Sequence, residues 1–403
     1  MNLARHQSVL VGNYAPPSLE VVRGKGSKLW DSSGKEYLDF TSGIAVNNLG
    51  HCHPTWVKRL QQQADSLVHC SNLFSIPEQV LLAERLVDKI GPGKVLFCNS
   101  GAEANEVLLK FSRLFGNQAH PEKKSEILVA SNGFHGRTLG ALSATESIKY
   151  RNGFEPLLPG FRFCQYNDLQ DFKKSINQTT AAILIESIQG EGGVHEATDE
   201  FLIGIERICQ EHRILFLMDE VQAGIGRTGE FLGFQKSGIH PHGIAMAKGL
   251  GGGFPIGAVW LAEDYASLFT PGSHGTTYGG SPLACSSALA VLDILESENL
   301  IDLARTRGNF FQRGLNELAA QFPQLILESR GRGLMLGLGL SFDPGILVSK
   351  LRENGLLTVG AGGNTLRLLP PLNVSESEIN EALRILLLCL NEISDHSNHE
   401  TFS

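Results

Sequence analysis

The sequence predicts an α/β protein, with a large domain built on a mainly parallel sheet flanked by helices and a smaller α+β domain following it. Three observations carry that expectation. Short continuous apolar runs alternate with amphipathic helical patterns through the first part of the chain. Glycine-rich or polar turns follow those runs directly. Beyond residue 295 or so the texture changes to long amphipathic helices separated by short strands.

Near the N-terminus, Lys28 to Asp39 reads as a hairpin turning at Ser33-Gly34, where glycine supplies the backbone freedom a tight turn needs. Val95–Cys98, Glu126–Ala130, Ala181–Glu186 and Ile214–Met218 read as buried parallel strands. They are continuously apolar rather than alternating, as happens when helices cover both faces of a sheet. Val107, Leu108, Phe111, Leu114 and Phe115 share one helical face, as do Phe201, Ile205 and Ile208. Right-handed crossovers would then gather ligand chemistry at the carboxyl ends of the strands.

In the last part, residues 297–321 and 376–394 read as helices, and Arg332–Leu338 and Leu366–Pro371 as strands. This divides the chain into an N-terminal segment (1–47) packing with the small domain, a large domain (48–295) and a small domain (296–403). The last ten residues are polar and expected to fray.

Bulk properties bound the function. At 403 residues, 42% apolar and 19% charged, the chain can bury ample core without a metal or disulfide staple. A net charge of −8 and no basic block argue against nucleic acid as a partner. Apolar stretches fall well short of the ~18 residues of a membrane span, and Met1–Tyr14 has no signal-like apolar core. Seven cysteines without a Cys-x-x-Cys pair suit free thiols in a reducing cytoplasm.

Four motifs carry chemistry. Ser100-Gly101-Ala102-Glu103-Ala104-Asn105 follows a strand and opens a helix, so its unpaired amides form a phosphate cradle; a plain strand-to-helix turn is the simpler alternative. Phe134-His135-Gly136-Arg137-Thr138 sets an aromatic ring that could cover one face of a pyridine beside a cation that could fork onto a carboxylate, with a plain loop bearing a surface arginine as the alternative. Asp219 ends an apolar strand, where a carboxylate needs a partner; a protonated pyridine nitrogen would serve, with helix capping as the alternative. Lys248 opens a glycine-rich loop, Lys248 to Gly253. A lysine so placed and a buried acid together suit pyridoxal phosphate, the lysine forming the Schiff base and the acid holding the ring nitrogen; taken alone, the lysine reads as a solvated side chain in a mobile loop. Val221 could pack on the second ring face and Gln222 bond the ring's phenolic oxygen. His274–Gly280 offers two hydroxyls, and Glu186–Gly193 presents Glu191. His51-Cys52-His53 is too tight for tetrahedral chelation and reads as structural; no metal is expected.

Taken in order, these strings resemble the class III, fold type I aminotransferases, and within them the group acting on acetylornithine. The likeness runs from Pro17 to Leu390. It rests also on Ser42–Asn47, Leu49–Pro54, Gln189–Gly193, Asp219–Gln222 and Ala247–Gly257. The resemblance implies the following roles. Lys248 carries the pyridoxal phosphate. Ser100, Gly101, Ala102 and Thr277 hold its phosphate, Thr277 from the partner subunit of a homodimer. Phe134, Asp219, Glu220, Val221 and Gln222 complete the ring pocket. Arg137 and Thr276 bind the substrate end bearing the α-carboxylate. Arg367 binds the α-carboxylate of glutamate or 2-oxoglutarate, and Glu191 gates Arg367 by pairing with it.

The implied reaction is ping-pong transfer of an ω-amino group to 2-oxoglutarate, with Lys248 moving the proton. Gly43 and Ile44 leave room for an acyl group, where ornithine aminotransferases usually carry an aromatic. Ornithine, succinylornithine, succinyldiaminopimelate and 4-aminobutyrate stay open as substrates. A cofactor-binding regulator or a lyase on the same fold stays open as a function. Ser187, Ser281 and His242-Gly243 depart from the usual pattern.

Overall fold

The computed structural model describes residues 3–118 and 123–400. Its centre is a seven-stranded sheet in the order Gly93–Cys98, Gly257–Ala262, Gly243–Met246, Leu215–Asp219, Thr180–Glu186, Glu126–Ala130, Phe161–Cys164. All run parallel except Gly257–Ala262, which is antiparallel to both neighbours. The four expected strands are present within two residues of the expected bounds. Three strands were not anticipated. Phe161–Cys164 is a half-buried edge strand of mixed polarity, and Gly243–Met246 is short and has no β-branched residue except Ile244. Gly257–Ala262 lies directly beyond the glycine-rich loop that dominates the local pattern.

Both helical faces read from the sequence pack as expected. Val107, Leu108, Phe111 and Phe115 are buried on the helix Gly101–Gln118, and Phe201, Ile205 and Ile208 on Asp199–His212. Leu114 is only half buried.

The second sheet is antiparallel in the order Ile326–Arg332, Met335–Leu340, Thr365–Leu368, Val359–Ala361. Arg332–Leu338 is therefore not one strand. Gly333, at φ +58, turns the chain between two strands, because its Cβ would lie 2.5 Å from the backbone of Thr228. The helix expected over 297–321 is present as Leu300–Gln321, and a separate helix, Pro282–Ser297, precedes it, with Asn299 in the left-handed region between them. The final helix runs on to Glu400, past the point where fraying was expected; residues 401–403 of that expectation lie outside the described residues.

The hairpin at Ser33-Gly34 forms between Lys28–Asp31 and Glu36–Asp39. Glu36–Asp39 also pairs with Leu356–Leu357, which ties the N-terminal segment to the C-terminal part of the chain. His51 bonds Asp39 at 2.7 Å and His53 bonds Glu298 at 3.0 Å, so the two histidines serve separate structural contacts.

Arg227 joins the same regions from within. It is fully buried, donates to the carbonyls of Leu334 (3.0 Å) and Pro370 and to Asn48 Oδ1 (2.7 Å), and has no carboxylate partner among the described residues. Burial lowers its pKa to about 9. Arg227→Met strands three buried acceptors, each worth about 1–3 kcal/mol. A thermal midpoint several degrees lower is the expected result, read by calorimetry.

Candidate active site

A cavity of about 440 Å³ opens at the carboxyl ends of five parallel strands and takes lining residues from the segment after each. That is where a parallel sheet leaves its loops and helix N-termini converging. Its size suits a small-molecule ligand, for which ~300–1,000 Å³ is usual. Ser100, Gly101, Ala102, Phe134, Arg137, Glu191, Asp219, Val221, Gln222 and Lys248 all line it.

Asp219 is 4% exposed and anchors the floor. Its Oδ2 accepts from Asn105 Nδ2 and pairs with His135 Nδ1, each at 2.7 Å; its Oδ1 accepts from the Val221 amide at 3.0 Å. Burial opposes a charged His135, but the hydrogen bond to Asp219 and its charge win, so the His135 pKa is raised. The next strand ends in Glu186, directly beside Asp219 in the ladder. One oxygen of Glu186 accepts from the Phe134 amide at 2.9 Å; the other is buried without a partner. Burial, reinforced by the Asp219 charge and opposed by His135, pushes the Glu186 carboxyl up. Donor atoms of His135, Glu186 and Asp219 lie within 4.8 Å of one another. His135 and Asp219 already bond each other, whereas Glu186 bonds the Phe134 amide and neither of the other two.

Lys248 opens a short 3₁₀ turn at φ +42, a left-handed conformation that costs a non-glycine residue about 1–2 kcal/mol. The turn is pinned, with Ser287 Oγ donating to the Gly251 carbonyl at 2.7 Å and Trp56 Nε1 at 3.2 Å. A side chain on Gly249 would strike Asn48, its Cβ falling 2.2 Å from Nδ2. Desolvation lowers the Lys248 amine to about 8, Glu191 pulling against it and Arg367 with it. At pH 7 about a tenth of an amine with that value is neutral and nucleophilic, against a negligible fraction at the ordinary value.

The cradle at Ser100-Gly101-Ala102 begins an 18-residue helix. A Cβ on Gly101 would sit 2.6 Å from Val221, and one on Gly136 2.7 Å from Ala102, so the cleft has no room for a side chain at either position.

Arg137 stands exposed at the cavity's outer edge, its guanidinium 3.9 Å over the Tyr150 ring and 5.6 Å from that of Phe134. No carboxylate among the described residues pairs with it. Arg367 is 1% exposed and bonds Glu191 Oε1 at 2.7 Å and Gln222 Oε1 at 2.8 Å. Burial raises the Glu191 pKa, but the Arg367 charge and hydrogen bond outweigh it and the result is a lowered value.

Arg367 stands behind the lining, reached through Glu191 and Gln222, and three further expected residues lie elsewhere. Glu220 turns away from the cavity, because successive strand residues point to opposite sides. It accepts from the Gly233 amide at 2.7 Å, and burial raises it to about 7. Thr276 bonds Asn99 Nδ2 at 3.0 Å outside the lining, and Thr277 is exposed on the surface. Gly43 also lies outside, with Val46 reaching the cavity instead.

Sequence reading missed His135, Asn105, Glu186 and Tyr150 as site residues. Asn105 was findable, because it lies four residues from Gly101 and shares its helical face. Glu186 carried the signal that marked Asp219, an acid ending a buried strand. Tyr150 had no local signal.

The donor set fits a flat phosphorylated pyridine aldehyde: helix-start amides at one end, a buried acid at the other, a partly neutral lysine between.

The "Aminotransferase class-III" family model matches residues 11–390. The acetylornithine aminotransferase of Caldanaerobacter subterraneus subsp. tengcongensis is 45% identical over 385 residues, 95% of this chain and 98% of that protein. The solved acetylornithine aminotransferase of Elizabethkingia anophelis is 32% identical with a TM-score of 0.86, covering 96% and 98% of the two chains. An ornithine aminotransferase of Toxoplasma gondii, described with PLP in partial occupancy at its active site, is 33% identical with a TM-score of 0.93, covering 98% and 94%.

Proposed function

This chain belongs to the class-III aminotransferase family, and on that premise we propose that it moves the δ-amino group of N2-acetyl-L-ornithine to 2-oxoglutarate. The products are N-acetyl-L-glutamate 5-semialdehyde and L-glutamate, and the reaction belongs to arginine biosynthesis. The observation that carries the reading is the masked arginine. Arg367 is paired with Glu191, which lines the cavity with Lys248, while Arg137 stands exposed and unpaired on the same lining. Two substrates whose carboxylates lie at different distances from the amine need two such readers, one of them coverable.

Pyridoxal 5′-phosphate is the cofactor in this reading. When bound, it supplies an aldehyde that accepts amines and a cationic ring that draws electrons from the carbon losing its proton. The amides of Ser100, Gly101 and Ala102 would hold the phosphate, joined by Thr277 from a second copy of the chain. Phe134 and Val221 would cover the two ring faces, Asp219 the ring nitrogen and Gln222 the phenolic oxygen.

Lys248 would hold the cofactor's aldehyde, and its amine stays within the cavity. Its amine, lowered to about 8, takes the proton from the substrate carbon and returns it one position away. Arg137 forks onto the carboxylate of the acylated amino acid while Glu191 keeps Arg367 covered. In the second half-reaction Glu191 swings off, and Arg367 takes the α-carboxylate of 2-oxoglutarate.

A homodimer belongs to the same proposal. Leu73 is 86%, Phe74 67% and Tyr278 64% exposed. Asn72 bonds the Gly279 carbonyl at 3.0 Å and the His69 ring meets Tyr278 at 5.2 Å, which gathers these apolar residues beside Thr277. No helix among the described residues is long and apolar enough to cross a membrane, and cytoplasmic residence is proposed with the function. So is the division at residues 47 and 295.

Acetylornithine, ornithine, succinylornithine, succinyldiaminopimelate and 4-aminobutyrate, assayed side by side, test the substrate. Acetylornithine should give the highest kcat/KM and bleach the cofactor absorbance, which 2-oxoglutarate restores. A higher value for any of the others overturns that assignment. Glu191→Ala should shift the ratio of the acetylornithine to the glutamate half-reaction toward glutamate by about tenfold, the value of one charge-assisted contact. An unchanged ratio would remove the gate.

A further inference from the structure

We propose that Arg330 is a positioning residue for the Glu191 gate, clamping the backbone of the gate loop to the strand pair that carries Arg367, so that only the Glu191 side chain moves. The inference rests on the gate reading above and adds what holds the gate in register.

The segment Gly190–Val194 is the turn of a two-stranded ladder, Ile188–Gln189 with His195–Glu196, that follows the large-sheet strand Thr180–Glu186, whereas Arg367 belongs to the second sheet. Two elements from different sheets must therefore stay aligned closely enough for a 2.7 Å ion pair. The Glu191–Arg367 pair cannot do this alone, because the reaction requires it to break.

Contacts independent of the Glu191 carboxylate do it. Arg330 Nε donates to the Gly193 carbonyl at 2.7 Å, and its Nη2 donates to Thr365 Oγ1 at 2.6 Å. Its remaining Nη1 is held by Glu328. The Gly362 amide donates to the Glu191 carbonyl at 2.8 Å. Thr365 and Arg367 lie on one strand, two residues apart, so they share a face. Gly362 sits in the turn leading into that strand. One guanidinium thus bridges the gate loop and the strand of the gated arginine, a task for its planar fork.

The surroundings leave the loop backbone little freedom. Gly193 is at φ +117, and a Cβ there would lie 2.7 Å from the Gly362 carbonyl oxygen; on Gly192 it would lie 2.7 Å from that of Asn132. The Met335–Leu340 strand makes room for Arg330. A Cβ on Gly339 would stand 2.7 Å from its Nη1, and one on Gly337 3.0 Å from Thr365. The alternating Leu-Gly-Leu-Gly-Leu of that strand thereby acquires a purpose, a smooth face across which the arginine lies. The Glu191 side chain itself is 22% exposed and rotates about its own torsions.

The test compares Arg330→Gln, Arg330→Lys and Glu191→Ala as holoenzymes. Single-turnover rates with acetylornithine and with glutamate are followed by cofactor absorbance, and hydrogen exchange is read over peptides covering residues 189–194 and 359–368. Arg330→Gln should lower the acetylornithine-to-glutamate ratio roughly tenfold and speed exchange in both peptides by a similar factor, the loss of two hydrogen bonds to a charged donor. Arg330→Lys, which keeps the charge but not the fork, should fall between. An equal loss in both half-reactions, or unchanged exchange, overturns the clamp. A ratio moved by Glu191→Ala but not by Arg330→Gln overturns it while sparing the gate. If Glu191→Ala moves nothing, the gate fails and the clamp with it. Thermal midpoints of all variants identify any that fail to fold, in which case Arg330→Lys carries the comparison.

Discussion

Lys248→Ala should lower kcat/KM for acetylornithine and for glutamate together, by roughly 10⁴-fold or more, because one amine both anchors the cofactor and moves the proton. Both half-reactions share that amine, which separates this variant from Glu191→Ala, where the two diverge. The pinned turn around Lys248 predicts that the fold survives, and alanine, which keeps a Cβ at the same φ of +42, leaves the backbone cost unchanged. The wild-type amine supplies a second measurement. Its pKa is lowered from 10.5 to about 8, so covalent capture of pyridoxal phosphate by the apoenzyme should accelerate as pH rises and level off above about 8. Capture that keeps accelerating toward pH 10.5 would mean that the amine is not desolvated as the structure has it.

Asp219→Asn should cost roughly 10²–10³-fold in kcat/KM, the scale of removing one preorganised charge from an active site. The amide keeps the shape of the carboxylate and can still accept a hydrogen bond. It removes the negative charge that the proposed function sets opposite the ring nitrogen, and the charge that raises His135. The second consequence can be read without activity. His135 has a folded pKa above its ordinary 6.5, so its pairing contributes stability that is fully present below about pH 6.5 and lost as pH rises through the raised value. In Asp219→Asn that pH-dependent increment should vanish, as measured by unfolding midpoints across the window. The same pH dependence in wild type and variant would place the origin of the shift outside Asp219.

Residues that announce themselves by a local contradiction were legible in the sequence. A carboxylate ending an apolar strand, a lysine opening a glycine-rich loop and a glycine at a helix start each violate an ordinary pattern, and Asp219, Lys248 and Gly101 were found that way. Glu186 breaks the pattern as Asp219 does and was passed over, because the motif around it drew the reading to Glu191. His135 and Asn105 looked ordinary, because what distinguishes them is a shared hydrogen bond to Asp219 from positions 84 and 114 residues away. Glu220 was misplaced for a related reason. Adjacent residues on a strand face opposite ways, and only the neighbouring Gly233 shows which face is the cavity.

By itself the sequence determined the parallel α/β core, since continuous apolar runs between amphipathic helices can be buried in few other ways. It also determined the family, because seven motifs stand in register. The tertiary structure decided which side chains converge. Arg367 meets Glu191 across 176 residues, Arg330 meets Gly193 across 137, and Arg227 reaches Pro370 across 143. Such pairings have no local signature. A hydrogen bond constrains two atoms in space, whereas periodicity constrains only neighbours along the chain.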